Sequence, residues 1–186
     1  MKRIFDILLA LFFLIILVIP MLIIALAIKY SSTGPVIFWS DRVGRYNKIF
    51  GMPKFRTMKV DTPNVATHLL KSPDHYRTPV SRFLRKSSLD ELPQLLSIMS
   101  GKMSFVGPRP ALFNQDDLVG LRTQYGIEVL VPGLTGWAQI NGRDDLPIPK
   151  KVEYDREYLI EQSFWLDMKI LWLTFAKVIL NDGVSH

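Results

Sequence analysis

The sequence predicts an α+β protein: a mostly helical domain with a short β-hairpin and long structured loops, carried on an N-terminal membrane helix. Three observations lead there. Ile7 to Ile28 is an unbroken run without a charge. Two short β-type runs, Val36–Trp39 and Ile49–Met58, lie on either side of the polar stretch Ser40–Lys48. Ser81–Lys86, Leu89–Met99 and the segment near 163–181 have helical patterns.

Composition narrows the class. The chain has 186 residues, room for one ordinary domain, and its 48% hydrophobic content excludes a disordered chain. With no Cys it has no disulfide framework and no thiolate chemistry, and its three His are too scattered for a metal cluster. The net charge of +6 raises the question of nucleic acid. Residues 1–60 carry nine Lys/Arg and two Asp, a balance of +7, whereas residues 61–186 carry fourteen against fifteen, a balance of −1. The excess therefore flanks the apolar run, as in proteins that meet anionic headgroups, and no nucleic-acid partner is expected.

The first element, residues 1–34, reads as a re-entrant helix-break-helix. Pro20 removes a backbone donor and pushes against the carbonyl of Ile16. The arms on either side would be about 20 and 12 Å long, each too short to span a bilayer. Lys2 and Arg3 lie before the run and Lys29, Arg42, Arg45 and Lys48 after it, so both ends prefer the cytoplasmic face. A straight transmembrane anchor is the alternative, because spanning helices also tolerate Pro. A cleaved signal peptide is not expected, since the apolar stretch before Ala25-Leu26-Ala27 exceeds the usual length.

Residues 35–186 form the second unit. Ser31-Ser32-Thr33-Gly34-Pro35 is turn chemistry that ends the membrane element. Pro53 restricts the second strand to an edge or a bulge. Residues 61–80, with three Pro, read as loop, and so do residues 132–150, where Gly and Pro crowd. Near 163–181, Ser163, Asp167, Thr174, Lys177 and Asn181 make a narrow polar stripe on an otherwise apolar helix. Such a helix is either buried or interfacial.

Candidate chemistry centres on Ser88-Leu89-Asp90-Glu91. Its purely structural reading is a capping box, Ser88 with Glu91, with acids suiting a helix start. In the functional reading Pro93 disturbs that turn, and Arg82, Arg85 and Lys86 lie close in the chain. Adjacent carboxylates beside cations can hold Mg²⁺ and a nucleophile next to phosphate. Lys54 and Arg56 alternate onto one strand face, Arg109 is bracketed by Pro108 and Pro110, and Arg143 follows Asn141-Gly142. Arginine forks on stiff backbone suit phosphate, although solvated charge is the default for any of them. No phosphate-cradling Gly-rich loop, dinucleotide fingerprint or H-E-x-x-H occurs. The pairs Asp116-Asp117 and Asp144-Asp145 are not D-x-D.

Five segments in order, KFRTM (54–58), SSLDELPQL (87–95), GKMSFVGPRP (101–110), PGLTGWAQINGR (132–143) and SFWLDMKIL (163–171), resemble the bacterial sugar transferases, the monotopic phosphoglycosyl transferases. The resemblance implies a membrane enzyme that moves a sugar 1-phosphate from a UDP-sugar to polyprenol phosphate and releases UMP, the first membrane step of a glycan pathway. It implies Asp90 as nucleophile through a covalent phosphosugar intermediate and Glu91 as the Mg²⁺ ligand. Lys54, Arg56, Arg85, Arg109 and Arg143 would hold phosphates. The implied location is the cytoplasmic face of the bacterial inner membrane, with both termini cytoplasmic. Here Ile19 precedes Pro20 where the family commonly has Ser. The chain is similar to the minimal form that starts Campylobacter-type protein glycosylation, which implies an acetamido sugar. A non-catalytic membrane scaffold of a glycan assembly complex is the alternative function. The sugar and the oligomeric state are left open.

Overall fold

A computed structural model of the chain describes residues 1–62, 76–142 and 146–179. Helix α1 is assigned without interruption from Lys2 to Ser31, with Pro20 inside it, and is long and apolar enough to cross a membrane. It stops where turn chemistry was expected: Ser32 is extended and its N–H donates to Ile28 O. Gly34 then turns the chain at φ 111°, against Arg56, where a Cβ would not fit.

One face of α1 lies on the rest of the protein. Asp6, Ala10, Ile24 and Ile28 are buried, with Phe13, Leu14, Leu17 and Met21 half-buried between them. This is a helical spacing of three and four along the whole length. The other faces, among them Ile15, Ile19, Leu22 and Ile23, are exposed. Both ends are fastened to the same domain. Arg3 donates to Ile98 O (2.5 Å) and Met99 O (2.7 Å), and Lys2 Nζ pairs with Asp167 Oδ2 at 2.5 Å. At the far end, the buried Arg56 guanidinium donates to Ser32 O (3.1 Å), Ser32 Oγ (2.9 Å) and Thr33 O.

Strands β1 (Ile37–Val43) and β2 (Ile49–Phe55) form an antiparallel hairpin in register from Ile37↔Phe55 to Val43↔Ile49. The first strand outruns its expected end at Trp39 because its polar continuation finds partners: Arg42 donates to Ser40 Oγ and to Pro110 O. Pro53 is tolerated because each strand of a two-stranded sheet is an edge. Helix α2 spans Ser81–Lys86 as expected. The expected helix over 89–99 divides at Pro93 into a single 3-10 turn, Leu89–Glu91, and α3, Gln94–Met99.

The reading of 132–150 as loop is corrected. Strand β3 (Ser104–Val106) pairs in parallel with β4 (Gly133–Thr135), α5 follows at Trp137–Ile140, and α6 (Ile148–Glu161) begins within the segment. The glycines serve close approach more than turning. A Cβ on Gly133 would lie 2.1 Å from Gly107 N, and one on Gly136 2.1 Å from Gly107 O. Helix α4 (Asp116–Gln124) packs on α6 through a buried ion pair, Arg122 Nε and NH2 to Asp155 Oδ2 at 2.9 and 2.6 Å. The main core gathers Leu95, Ile98, Met103, Phe105, Val152, Tyr158 and Ile170, and a smaller one joins Ile24 and Ile28 to Phe55 and Leu84.

Helix α7 (Phe164–Ile179) faces the opposite way from an ordinary amphipathic helix. Three positions of its polar stripe point inward: Asp167 accepts from Tyr158 and Lys2, Thr174 meets Thr135, and Lys177 donates to Ile140 O, while Asn181 lies outside the described residues. Its aromatic face points outward, with Trp165 80% and Trp172 68% exposed. The ring of Phe164 packs edge-on to Phe5 of α1, so the two exposed apolar faces adjoin.

Candidate active site

The turn that carries Asp90 and Glu91 is not a capping box. Ser88 has φ 56° and ψ 16°, and its side chain makes no cap hydrogen bond. A non-Gly residue in this region is strained, and its effect is to turn the chain sharply so that both carboxylates project from one short 3-10 turn. Leu89 and Leu92 anchor the turn from below by packing on the Ile24–Ile28–Phe55–Leu84 cluster. The turn thus rests on the apolar cluster that α1, β2 and α2 share.

Cations from three separate segments surround it. From β2, Lys54 Nζ donates to Glu91 Oε1 at 2.7 Å, and Arg109 NH2 reaches the same oxygen at 3.2 Å. Arg85, on the last turn of α2, is close enough to Asp90 for their charges to attract. Arg77, beside Arg85, adds a further positive charge. That residue was not singled out in the sequence, because it lies in a stretch read as loop. Tyr76 to Thr78 in fact runs alongside 57–59, with a bridge between Met58 and Arg77. A cue was present: Pro79 follows closely, as Pro110 follows Arg109. Lys54, Arg85 and Arg109 thus set three positive charges beside the two carboxylates.

The two acids are driven apart. Burial pushes the Asp90 carboxyl up to about 6, against the pull of Lys54, with the charge of Glu91 adding to the rise. Burial also works against Glu91, yet Lys54 and Arg109 outweigh it and hold that carboxyl well below the usual range. Glu91 is therefore a fixed anion and Asp90 the titrating group, an asymmetry that suits different roles for adjacent carboxylates.

The loop bearing Arg109 is held from behind. Arg122 NH1 donates to Arg109 O at 2.9 Å while its other nitrogens bind Asp155, and Arg42 NH1 donates to Pro110 O. Lys2 Nζ donates to Val106 O just upstream. Thus Asp90, Glu91, Lys54, Arg85 and Arg109 come together as expected. Arg56 does not join them: it sits one residue past the end of β2, buried, with its guanidinium on the carbonyls at the end of α1. The structure thus gives Arg56 the work of capping that helix. Arg143 lies outside the described residues.

Among the described residues, no three His, Cys, Asp or Glu gather around one point. Asp90 and Glu91 offer the one or two carboxylates that Mg²⁺ commonly uses, its remaining positions being filled by phosphates and water.

Fold and site together define a class: an α+β protein with a long apolar helix along one side and a pair of carboxylates ringed by cations. The chain belongs to the bacterial sugar transferase family, whose model matches residues 1–181. It is 44% identical over 191 residues to an Escherichia coli K12 protein named UDP-glucose:undecaprenyl-phosphate glucose-1-phosphate transferase, covering 98% of this chain and 41% of that one. Against Bacillus subtilis EpsL, named an uncharacterized sugar transferase, identity is 42% over 100% of this chain and 91% of that one. A Salmonella typhimurium protein named undecaprenyl-phosphate galactose phosphotransferase is 35% identical over 98% of this chain and 42% of its own length. The chain thus spans well under half the length of the two relatives with named reactions.

Proposed function

We propose that the protein transfers a sugar 1-phosphate from a UDP-sugar to undecaprenyl phosphate and releases UMP. The observation that carries the proposal is the Asp90–Glu91 pair on a strained turn, inside a cationic cluster and above the apolar cluster that the turn shares with α1. In the first step an Asp90 carboxylate oxygen bonds to the sugar-bearing phosphorus. The bond from that phosphorus to the bridging oxygen breaks, and its electron pair leaves with UMP. In the second step a phosphate oxygen of the acceptor attacks the same phosphorus, and the Asp90 carboxylate departs. An ionised Asp needs no general base, but it needs cations to offset repulsion from the diphosphate, and Lys54, Arg77, Arg85 and Arg109 supply them. Arg143 joins this set on the resemblance alone.

Mg²⁺ would be held by Glu91 through Oε2, since both cations engage Oε1, and bound there it neutralises charge on the diphosphate and leaving group. The relatives are named for glucose and galactose, which makes those the first donors to test, ahead of an acetamido sugar.

The membrane reading is part of the same proposal. Both ends of α1 lie on the cytoplasmic face and the helix re-enters near Pro20. In support, Lys2 and Arg3 at one end and Ser32 and Thr33 at the other are bonded to the same polar domain. A spanning helix would have to carry one of these ends across the bilayer. The outward aromatic face of α7 would rest in the interface, where Trp is favoured. A scaffold would gain nothing from a buried Asp titrating near 6.

The test is UMP release from UDP-glucose and UDP-galactose in the presence of undecaprenyl phosphate and Mg²⁺. Wild type is expected to release UMP with at least one donor and Asp90→Ala with neither; equal release by both would overturn the assignment.

A further inference from the structure

Arg42 enters the charge pattern of the chain only as one of the cations that follow the apolar run. The fold gives it a more specific place. On β1 it lies opposite Phe50, with Ser40 opposite Met52 and Phe38 opposite Lys54. Residues paired in this way point to the same side of a hairpin, so Arg42 and Lys54 share one face of the two-stranded sheet. From that face Lys54 Nζ reaches Glu91 Oε1 at 2.7 Å. Arg42 reaches the loop of the other cation on the same oxygen: its NH1 donates to Pro110 O at 3.2 Å, the residue after Arg109. The hydroxyl of buried Ser40 orients Arg42 Nε at 3.0 Å. Backbone contacts extend the attachment, with Val43 N–H donating to Ala111 O at 2.9 Å and a bridge between Arg42 and Leu112.

Pro108 and Pro110 fix φ on either side of Arg109 but have no N–H to donate, so this part of the loop is held through its carbonyls. Arg122 holds the carbonyl of Arg109 from α4, and Arg42 holds that of Pro110 from the hairpin that carries Lys54. We propose that Arg42 is a positioning residue: through Pro110 O it sets Arg109 in register with Lys54, so that both cations meet Glu91 Oε1 and, with it, the donor diphosphate. This rests on the transferase reading and gives Arg42 a role in the site beyond its charge beside the membrane element.

The test follows exchange of labelled UMP into UDP-glucose and UDP-galactose, with Mg²⁺ and no acceptor, by the full chain in vesicles of phosphatidylethanolamine and phosphatidylglycerol. Misplacing a group at the reacting centre by about 1 Å costs about a hundredfold. Arg42→Gln is expected to lower kcat/KM for the UDP-sugar by about 10- to 100-fold, and Arg42→Lys, which can still donate to Pro110 O, recovers most of that loss. In Arg109→Ala, assayed at raised enzyme concentration, adding Arg42→Gln changes the residual rate by less than about threefold, because the group it positions is gone. Arg45→Gln is the control: Arg45 lies in the turn of the same hairpin and carries the same charge, but donates to Val129 O at 2.7 Å. Its exchange rate stays within about twofold of wild type. Ser40→Ala keeps every charge, removes only the hydroxyl that orients Arg42, and is expected to lose about fivefold; it serves where Arg42→Gln does not fold.

A wild-type rate in folded Arg42→Gln would overturn the proposal, and so would a wild-type rate in Ser40→Ala where that variant alone folds. An equal loss in Arg45→Gln would overturn it by making the effect one of charge near the membrane. The same fold-loss with and without Arg109 would overturn it by showing that Arg42 does not act through Arg109. Absence of exchange by wild type with both donors would instead overturn the transferase reading, and this proposal with it.

Discussion

Replacing Asp90 by Asn should abolish transfer and at the same time stabilise the fold. The carboxyl titrates at about 6 in the folded protein against a reference of 3.8, because burial penalises its charge. A group whose folded pKa is raised favours folding below its unfolded pKa, and that contribution is lost as pH rises through the folded value. At pH 7.5 the ionised Asp90 therefore weighs against the fold. Each pH unit between the two values is worth about 1.4 kcal/mol, giving a ceiling of about 3 kcal/mol. Asn is nearly isosteric with the neutral acid, but its amide N–H groups are poorer company than a carboxyl oxygen for the positive charges of Lys54 and Arg85, so part of that gain is returned. For a chain of this size, about 2–4 °C accompanies each kcal/mol, so a rise of roughly 4–10 °C is expected. The assay is thermal unfolding followed by tryptophan fluorescence in nanodiscs, with a chelator present and equal scan rates. At pH 7.5 the variant should melt higher than wild type, and the difference should vanish as pH falls toward 4. No gain at pH 7.5, or the same gain at both pH values, would refute the reasoning.

Other substitutions separate the remaining roles. Asp155→Asn leaves Arg122 buried without its charge partner and should cost about 3–5 kcal/mol in denaturant melts, with a weakened hold on the Arg109 carbonyl. Arg56→Gln should lower the melting temperature by removing the cap on α1 while leaving kcat/KM per folded molecule within severalfold of wild type; the reverse pattern would return Arg56 to the phosphate site. Gly133→Ala should prevent accumulation of folded protein, because its Cβ meets backbone that cannot yield, whereas Gly120→Ala in α4, with open space around it, should stabilise by about 0.5–1 kcal/mol. Expression yield and melting temperature check the pair.

Much of this arrangement was legible in the chain, and the misreadings have physical causes. Short-range chemistry was read well: α2, the hairpin and the end of α1 followed from Pro, Ser and apolar spacing. The glycines of 132–150 misled because close approach of β3 and β4 depends on a partner distant in sequence, and local reading registers only their turn propensity. Ser88 and Glu91 matched a capping pattern, but the left-handed backbone at Ser88 set the turn differently. Lys54 and Arg56 were placed on one face, yet β2 ends at Phe55 and the alternation ends with it. In α7 the pattern was correct and its direction was not decidable, since a polar stripe can face water or a buried partner. Tyr158, Lys2 and Thr135 decided it, and the last two are distant in sequence.

The central claim is that Asp90 is the nucleophile. The most direct test is intact-mass analysis of the full chain incubated with Mg²⁺ and UDP-glucose or UDP-galactose, without acceptor, and quenched rapidly. The predicted result is a gain of one hexose phosphate, located on Asp90 by peptide mapping, absent from Asp90→Asn and discharged by added undecaprenyl phosphate. Turnover by Asp90→Asn, or an adduct on any other residue, would contradict it.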